Sequence, residues 1–336
     1  MKYKKKKVTL DDIARELNIS KNAVSIALSN KPGVSEKTRE MIINKAYEMG
    51  YKVKQKQERG YIGLLVSNIV LNDPHFFSTL LYSIENSIRI EGYDFTLFCY
   101  SDQNQEYLEQ FLNQDNLKGL IILSKMEEDV IEKIALYEIP IVLVDHRVDN
   151  RNIDTINTDN INSTRMAIRY LIKKGYNEIG FIGDISCSPS YKERWQGFLQ
   201  AYEESNLKVN LDFCKVDGFK DFTKNPEPEI IEFIKNLKNL PQAFFCVSDL
   251  STLLTANFIK ELGYQIPKDI GILGFDDTEM IRYFKPSLSM IHIDRTYYGK
   301  RAVKRLIEKI NNPDDPTEDI RISCRINFRK SLNISK

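Results

Sequence analysis

With 336 residues, 42% of them hydrophobic and 28% charged, the chain has the composition of an ordinary soluble protein long enough for two or three packed domains. No apolar run approaches the roughly 18 residues of a membrane span. The start MKYKKKKVTL is basic but leads into polar helix sequence without an apolar core or a small-residue cleavage site, so a cytoplasmic protein with no membrane partner is expected. The net charge of +1 divides unevenly: residues 1–59 hold 15 Lys or Arg against 7 Asp or Glu, and the other 277 hold 33 against 40, a head of +8 on a body of −7. Such a head suits a polyanionic partner.

Three helical patterns fill the head, Leu10 to Leu17, Lys21 to Leu28 and Glu36 to Met49. Thr9, Ser20 and Ser35 stand just before them as fitting N-caps, because a hydroxyl there can accept an orphan backbone N–H. Pro32 and Gly33 in SNKPGVS mark the turn before the third helix. Three short helices within residues 1–51, the first two separated by only a few residues, match a helix-turn-helix domain. In the second helix Ala23, Val24, Ala27 and Leu28 make an apolar stripe, while Lys21, Asn22, Ile26 and Ser29 share a face that offers donors and one aliphatic together.

Residues 52–60, KVKQKQERG, are polar and charged with no aliphatic anchor but one valine, and read as a linker. From Tyr61 onward, apolar runs of strand length alternate with amphipathic segments of helix length, the pattern of parallel βαβ architecture. Strand candidates are IGLLV, FTLFCY, GLIIL, PIVLVD, EIGFIGD, FCKVD, AFFCVSD, GILGFD and LSMIHI. Helices are expected near 76–91, 105–113, 130–137, 161–174, 190–205, 228–237, 250–262 and 297–310. So many strands exceed one modest sheet. Two doubly wound lobes with a cleft between them fit better, with ligands beyond the carboxyl ends of the strands.

The head's VTLDDIARELNIS, AVSIALSNKPGVSEKTREMI and AYEMGY, and the body's LNDPHFF, GLIIL, IPIVLVDHR, ERWQGFLQAY, GILGFDDTE and KPSLSMIHID, follow in one order over nearly the whole chain. In that order they resemble the lac repressor (LacI/GalR) family of bacterial transcription regulators. The resemblance implies an α/β fold class: a three-helix DNA-binding head on a two-lobed, periplasmic-binding-protein-like body whose lobes are joined by crossing strands. It implies a first lobe of 61–159 and 290–319 and a second of 160–289 and 320–336. Double-stranded operator DNA, a small-molecule effector (a sugar, sugar phosphate, nucleobase or nucleoside) and a second copy of the chain are the partners it implies.

By the same resemblance the second helix is the recognition helix, with Lys21, Asn22 and Ile26 at the positions that meet base edges. The chemistry suits the role: lysine can donate to guanine, asparagine can pair bidentately with adenine, and an aliphatic group can touch the thymine methyl. Thr9, Ser20, Ser25, Ser29, Ser35 and Thr38 suit phosphate contacts that fix register. Ile26 stands where most relatives have arginine, Ala23 replaces a usual threonine and Ser29 a usual asparagine, so an operator unlike the common one is expected. Relatives also carry a hinge helix with a leucine that wedges into the minor groove. The shorter linker here has no leucine, so less central kinking and more phosphate contact from Lys52, Lys54, Lys56 and Arg59 are expected, with steep salt dependence.

For the cleft, the resemblance matches Phe76 and Phe77 after the first strand, Ser101 and Asp102 after the second, Ser124 after the third and Asp145 after the fourth. In the second lobe it matches Arg194, Phe219, Ser248, Asp249 and Asp276. Carboxylates and arginine can exchange hydrogen bonds with vicinal hydroxyls, and an aromatic face can stack on a ring. An enzyme is not expected. The chain lacks GxGxxG, GxxxxGK[ST] and GxSxG, and the neighbours Asp276 and Asp277 on an extended segment would point to opposite sides. Cys99, Cys187, Cys214, Cys246 and Cys324 are odd in number, widely separated and mostly in strand-like apolar runs, as buried free thiols would be. His75, His146 and His292 share no ligand spacing, so neither a metal nor a cofactor is expected.

Overall fold

In the head, α1 (Leu10–Glu16), α2 (Lys21–Leu28) and α3 (Glu36–Glu48) each start at a side-chain cap. Thr9 accepts from the Asp12 N–H while the Asp12 carboxylate accepts from the Thr9 N–H, a reciprocal box; Ser20 accepts from Ala23 and Ser35 from Thr38. Ile13, Ala14, Val24, Ala27, Ile42 and Ala46 form the core between the three helices. Arg39 is buried and donates from Nη1 to the Ala27 carbonyl at 3.1 Å, which ties the end of α2 to α3. This computed structural model describes residues 8–29, 32–51, 60–67, 70, 73–148 and 153–333. Lys52, Lys54, Lys56 and Arg59 of the linker lie outside them.

The chain divides into two units, Met1–Arg59 and Gly60–Lys336. The second begins with β1 (Tyr61–Ser67), α4 (Pro74–Ile90), β2 (Asp94–Tyr100), α5 (Gln105–Leu112), β3 (Leu117–Leu123), α6 (Glu128–Ala135), β4 (Ile141–Val144) and β5 (Asp154–Thr158). It continues with α7 (Asn160–Lys173), β6 (Ile179–Ile182), α8 (Pro189–Glu204), β7 (Cys214–Lys215), α9 (Glu227–Lys235), β8 (Ala243–Cys246), α10 (Asp249–Glu261), β9 (Gly271–Asp276) and β10 (Ser289–His292). The long α11 (Arg295–Asn311) and the short β11 (Asp319–Ile322) and β12 (Arg325–Asn327) close the body.

Two six-stranded sheets result, in the orders β11-β5-β4-β3-β1-β2 and β12-β10-β9-β8-β6-β7. All pairings are parallel except β10 with β12. Each sheet reverses its winding direction at one place, between β1 and β3 in the first and between β6 and β8 in the second. A crevice opens at such a switch point because the loops leaving the two strands turn to opposite faces. The hydrophobic runs β1, β3 and β4 are buried along almost their full length, as strands covered by helices on both faces must be.

The chain passes between the sheets three times, after β5, after β10 and between β11 and β12. β10 therefore belongs to the second sheet and all of β11 to the first, so the crossings fall near 159, 293–294 and 323–324 rather than at 290 and 319–320. Helices α7 and α8 pack on one another, as do α4 and α11. At Gly197 in α8 an added Cβ would lie 2.3 Å from the Ile161 carbonyl of α7, so only glycine allows that approach. The thiols differ from the expected burial. Cys246 alone is fully buried, Cys187, Cys214 and Cys324 are partly so, and Cys99 is exposed on the edge strand β2.

Candidate functional site

On the head, Lys21 and Asn22 on α2 and Ser29 at its C-cap are exposed, and Ser25 and Ile26 are half-buried. Ile26 Cδ1 lies 3.5 Å from the point a Cβ on Gly33 would occupy, and Gly33 has a φ of +132°, so the glycine both makes the turn and leaves room for the isoleucine. Lys21 Nζ lies 2.7 Å from Asp11 Oδ2 with both side chains more than half exposed. An exposed pair of this kind is worth about 0–1 kcal/mol, so Lys21 can exchange Asp11 for another acceptor at little cost. Ser35 and Thr38 share a hydroxyl–hydroxyl bond of 2.7 Å.

In the body a cavity of about 300 Å³ lies between the lobes. Its first wall comes from the start of α4 with Phe76 and Phe77, from Ser124 and Lys125 after β3, and from Asp145 after β4. The second wall comes from Ser190, Tyr191 and Arg194 on α8, from Ser248 after β8 and from Asp276 at the end of β9. Arg194 is 3% exposed and 3.3 Å from the Asp276 carboxylate. Its Nε donates to Asn160 Oδ1 at 3.0 Å, its Nη1 donates to the Val247 carbonyl, and its guanidinium lies 3.6 Å from the centre of the Phe275 ring. The cation is thus held at Nε, at Nη1 and on one face.

Ser124, Asp145 and Asp276, all non-glycine, have φ values of 72°, 56° and 95°. Left-handed backbone is costly for such residues and is retained where the surroundings over-determine it. Here it bends the chain at three strand ends so that the side chains enter the cavity. Asp145 links the lobes: its Oδ1 accepts from Ser190 Oγ at 3.1 Å, and its N–H donates to Tyr298 Oη at 2.9 Å. A second clasp joins Thr158, Asn160, Glu193 and Arg321 through bonds of 3.0, 2.9 and 2.7 Å across the crossings.

Residues 9–53 match the pattern of "Bacterial regulatory proteins, lacI family", and residues 168–332 match the "Periplasmic binding protein-like domain". The chain belongs to the lacI family of bacterial regulatory proteins. It is thus a DNA-binding regulator of transcription with a head and a two-lobed body. A relative at full length is the HTH-type transcriptional repressor PurR of Pasteurella multocida, 26% identical over 96% of this chain and 98% of that one. The PurR of Aliivibrio salmonicida is 28% identical over 97% and 99%. Among solved structures, the lac repressor dimer bound to operator and the anti-inducer ONPF has a TM-score of 0.71 at 22% identity, covering 97% of this chain and 99% of that one. A LacI family regulator from Enterococcus faecium with bound ribose has a TM-score of 0.69 at 24% identity, covering 82% and 100%. These two likenesses concern the fold.

In this lacI-family body, seven of the residues singled out from sequence line the cavity: Phe76, Phe77, Ser124, Asp145, Arg194, Ser248 and Asp276. Three others are placed elsewhere. Ser101 begins a short 3₁₀ turn, and Phe219 stacks edge-on against Phe222 with the Lys215 ammonium over its ring. Asp249 accepts from the backbone N–H groups of Asp277 and Thr278 at 3.1 and 2.8 Å, holding the turn after β9. The Asp102 side chain lies outside the described residues. Sequence reasoning missed Asp73, Lys125, Ser190, Tyr191, Phe222 and Met280. SPSY at the start of α8 was the available signal for Ser190 and Tyr191, since it is a capped helix start directly after a strand.

Burial pushes the Asp145 carboxyl up to about 7 against the pull of Arg194, and burial with the nearby Asp276 charge raises Asp249 as well. Asp145 is open to the cavity, yet protein groups surround the carboxyl and displace most of its water. A raised carboxyl favours the folded state below its unfolded value, and that stability is lost as pH rises through the folded one. Relative to the parent protein, Asp145→Asn should therefore gain melting temperature as pH climbs from about 4 to about 7 and level off above it. Calorimetry across that range checks this, and a pH-independent difference would contradict it.

Proposed function

We propose that the chain is a ligand-controlled transcriptional repressor acting as a homodimer. Two heads read a near-palindromic operator through α2, with Lys21, Asn22 and Ile26 toward the bases. Thr9, Ser20, Ser25, Ser29, Ser35 and Thr38 contact phosphates. A small polar effector between the lobes changes their angle and hence the affinity for DNA, and by linkage DNA changes the affinity for effector equally.

The observation that supports the ligand reading best is the meeting of Asp145, Arg194 and Asp276 with Phe76, Tyr191 and Phe222 in one cavity beyond the strand ends of the two lobes. Carboxylates accept from hydroxyls and ring N–H groups, and aromatic faces lie against rings, so a sugar or sugar derivative suits the cavity and a nucleobase or nucleoside is the next choice. Half-buried Lys125, with no ion pair among the described residues, offers a place for a phosphate on such a ligand.

The test titrates purified protein against duplex from its own upstream region and against a scrambled duplex, at low and near-physiological salt, with and without sugars, sugar phosphates and nucleobases. Selective binding that one ligand class abolishes, with a rise in melting temperature by the same ligand, is the expected result. Equal, salt-fragile binding to both duplexes under every condition would contradict it. On the DNA side, Ile26→Arg should change the preferred half-site at one or two base pairs, because arginine reads guanine where isoleucine can only meet a methyl group. Identical motifs from a binding-site selection on both proteins would remove that assignment.

A further inference from the structure

Asp276 and Asp277 are neighbours in left-handed backbone, with φ of 95° and 60°, and their side chains serve different places. Asp276 meets Arg194 in the interlobe cavity. Asp277 lines a separate cavity of about 350 Å³ at the carboxyl end of the second sheet, together with Glu279, Arg282, His292, Arg295 and Arg329. The acids there are already engaged. Asp277 takes two bonds from Arg329, at 2.8 and 2.7 Å, and one from Asn327 at 2.8 Å, and Glu279 pairs with Arg282 at 2.6 Å.

The donors are not all engaged. Arg295 is 8% exposed and donates from Nη1 to the Asp276 carbonyl at 3.2 Å, yet its buried Nε–H has no partner. His292, shared between the sheet end and the cavity wall, has Nδ1 3.2 Å from the Asp277 carboxylate, yet that buried nitrogen has no hydrogen-bond partner. Buried N–H groups in native proteins are nearly always satisfied, by protein, water or a bound ion. Three guanidinium groups and an imidazole against two neutralised carboxylates leave a surplus of donors and of positive charge, the complement of an anion.

We propose that this second cavity binds a small anion carrying phosphate or carboxylate oxygens, held by Arg295 and His292, and that it acts on the interlobe pocket through Asp276. Arg295 is the first residue of α11, directly after the Ile293–Asp294 crossing between the lobes. Its guanidinium holds the carbonyl of the residue whose carboxylate faces Arg194. An anion drawing on Arg295 loads the same backbone that sets Asp276, so the site is a point from which a metabolite unlike the effector can alter the switch. The cavity lies apart from the proposed effector pocket, and the proposal stands whether or not that pocket takes a sugar.

The test uses the full chain and inorganic phosphate at fixed ionic strength, followed by calorimetric titration and by melting. One phosphate per chain and a higher melting temperature are expected for the parent protein. Arg295→Gln should raise the half-saturating concentration about tenfold, His292→Gln a few-fold, and Lys125→Ala in the interlobe pocket not at all. Should Arg295→Gln fail to fold, the partly exposed His292 carries the same expectation by itself. The proposal is overturned by a melting shift that chloride reproduces, by saturation unchanged in the His292 and Arg295 variants, or by a loss that follows Lys125→Ala instead.

Discussion

Ile42→Ala should abolish operator binding and leave the melting of the body as it was. The head's core is six buried side chains, of which Ile42 and Ile13 are the largest, both fully inaccessible. Truncating a buried isoleucine removes packing and leaves a cavity, at a cost of about 2–5 kcal/mol. A domain of this size holds only about 3–5 kcal/mol in its core, so most heads would be unfolded and operator affinity should fall by roughly two orders of magnitude or more. The body is a separate unit with apolar clusters of its own. Gel shift and differential scanning calorimetry check both halves of the statement. Ile42→Val, costing about 0.5–1.5 kcal/mol, should still bind. An intact gel shift for the alanine variant would mean that α2 holds its form without this core.

The caps at Thr9, Ser20 and Ser35, the eight body helices and nine of the strands were legible in the sequence, because capping chemistry and apolar periodicity act locally. β5, β11 and β12 were not. β5 reads DTINT, which looks like a loop, yet all five residues are buried. Its polar groups are paired over long distances: Asp154 accepts from Arg305 Nε and from the Glu318 N–H at 2.8 Å each, and Thr155 donates to Asp319 at 2.7 Å. Partners more than 150 positions away leave no periodic trace. The site residues divide on the same physical line. Ser101 follows the edge strand β2 and stays out of the cavity, while of the segment after the edge strand β7 Phe222, and not Phe219, reaches it. Strand ends that flank or follow the switch points, as for Ser124, Asp145, Ser248 and Asp276, open onto the cavity. The pattern of strands announces that a ligand sits at strand ends; which ends needs the strand order, and that is set by tertiary packing.

Asp276→Ala should remove ligand binding, and the structure adds a second effect that the sequence did not suggest. The carboxylate is 6% exposed, burial raises its proton affinity, and Arg194 opposes that rise from 3.3 Å. Taking it away leaves a buried guanidinium without its counter-charge, a defect of about 3–5 kcal/mol. The body should therefore melt lower, and ligand affinity should fall by about a hundredfold, near 2.7 kcal/mol. Operator binding by the folded fraction should persist, since the head is a separate unit. Two causes could then account for lost ligand, a missing contact or a damaged fold. The paired replacement Asp276→Leu with Arg194→Met separates them, because swapping a buried ion pair for apolar groups of similar size is often neutral or stabilising. Phe275, now facing the Arg194 guanidinium, can pack against methionine as well. The double variant should melt above Asp276→Ala, though below the parent because leucine is strained at the left-handed φ of 95°, and still fail to bind ligand in calorimetry. A higher melting temperature together with restored ligand binding would show the charges to be scaffolding, and the ligand would then be held by the rest of the cavity wall.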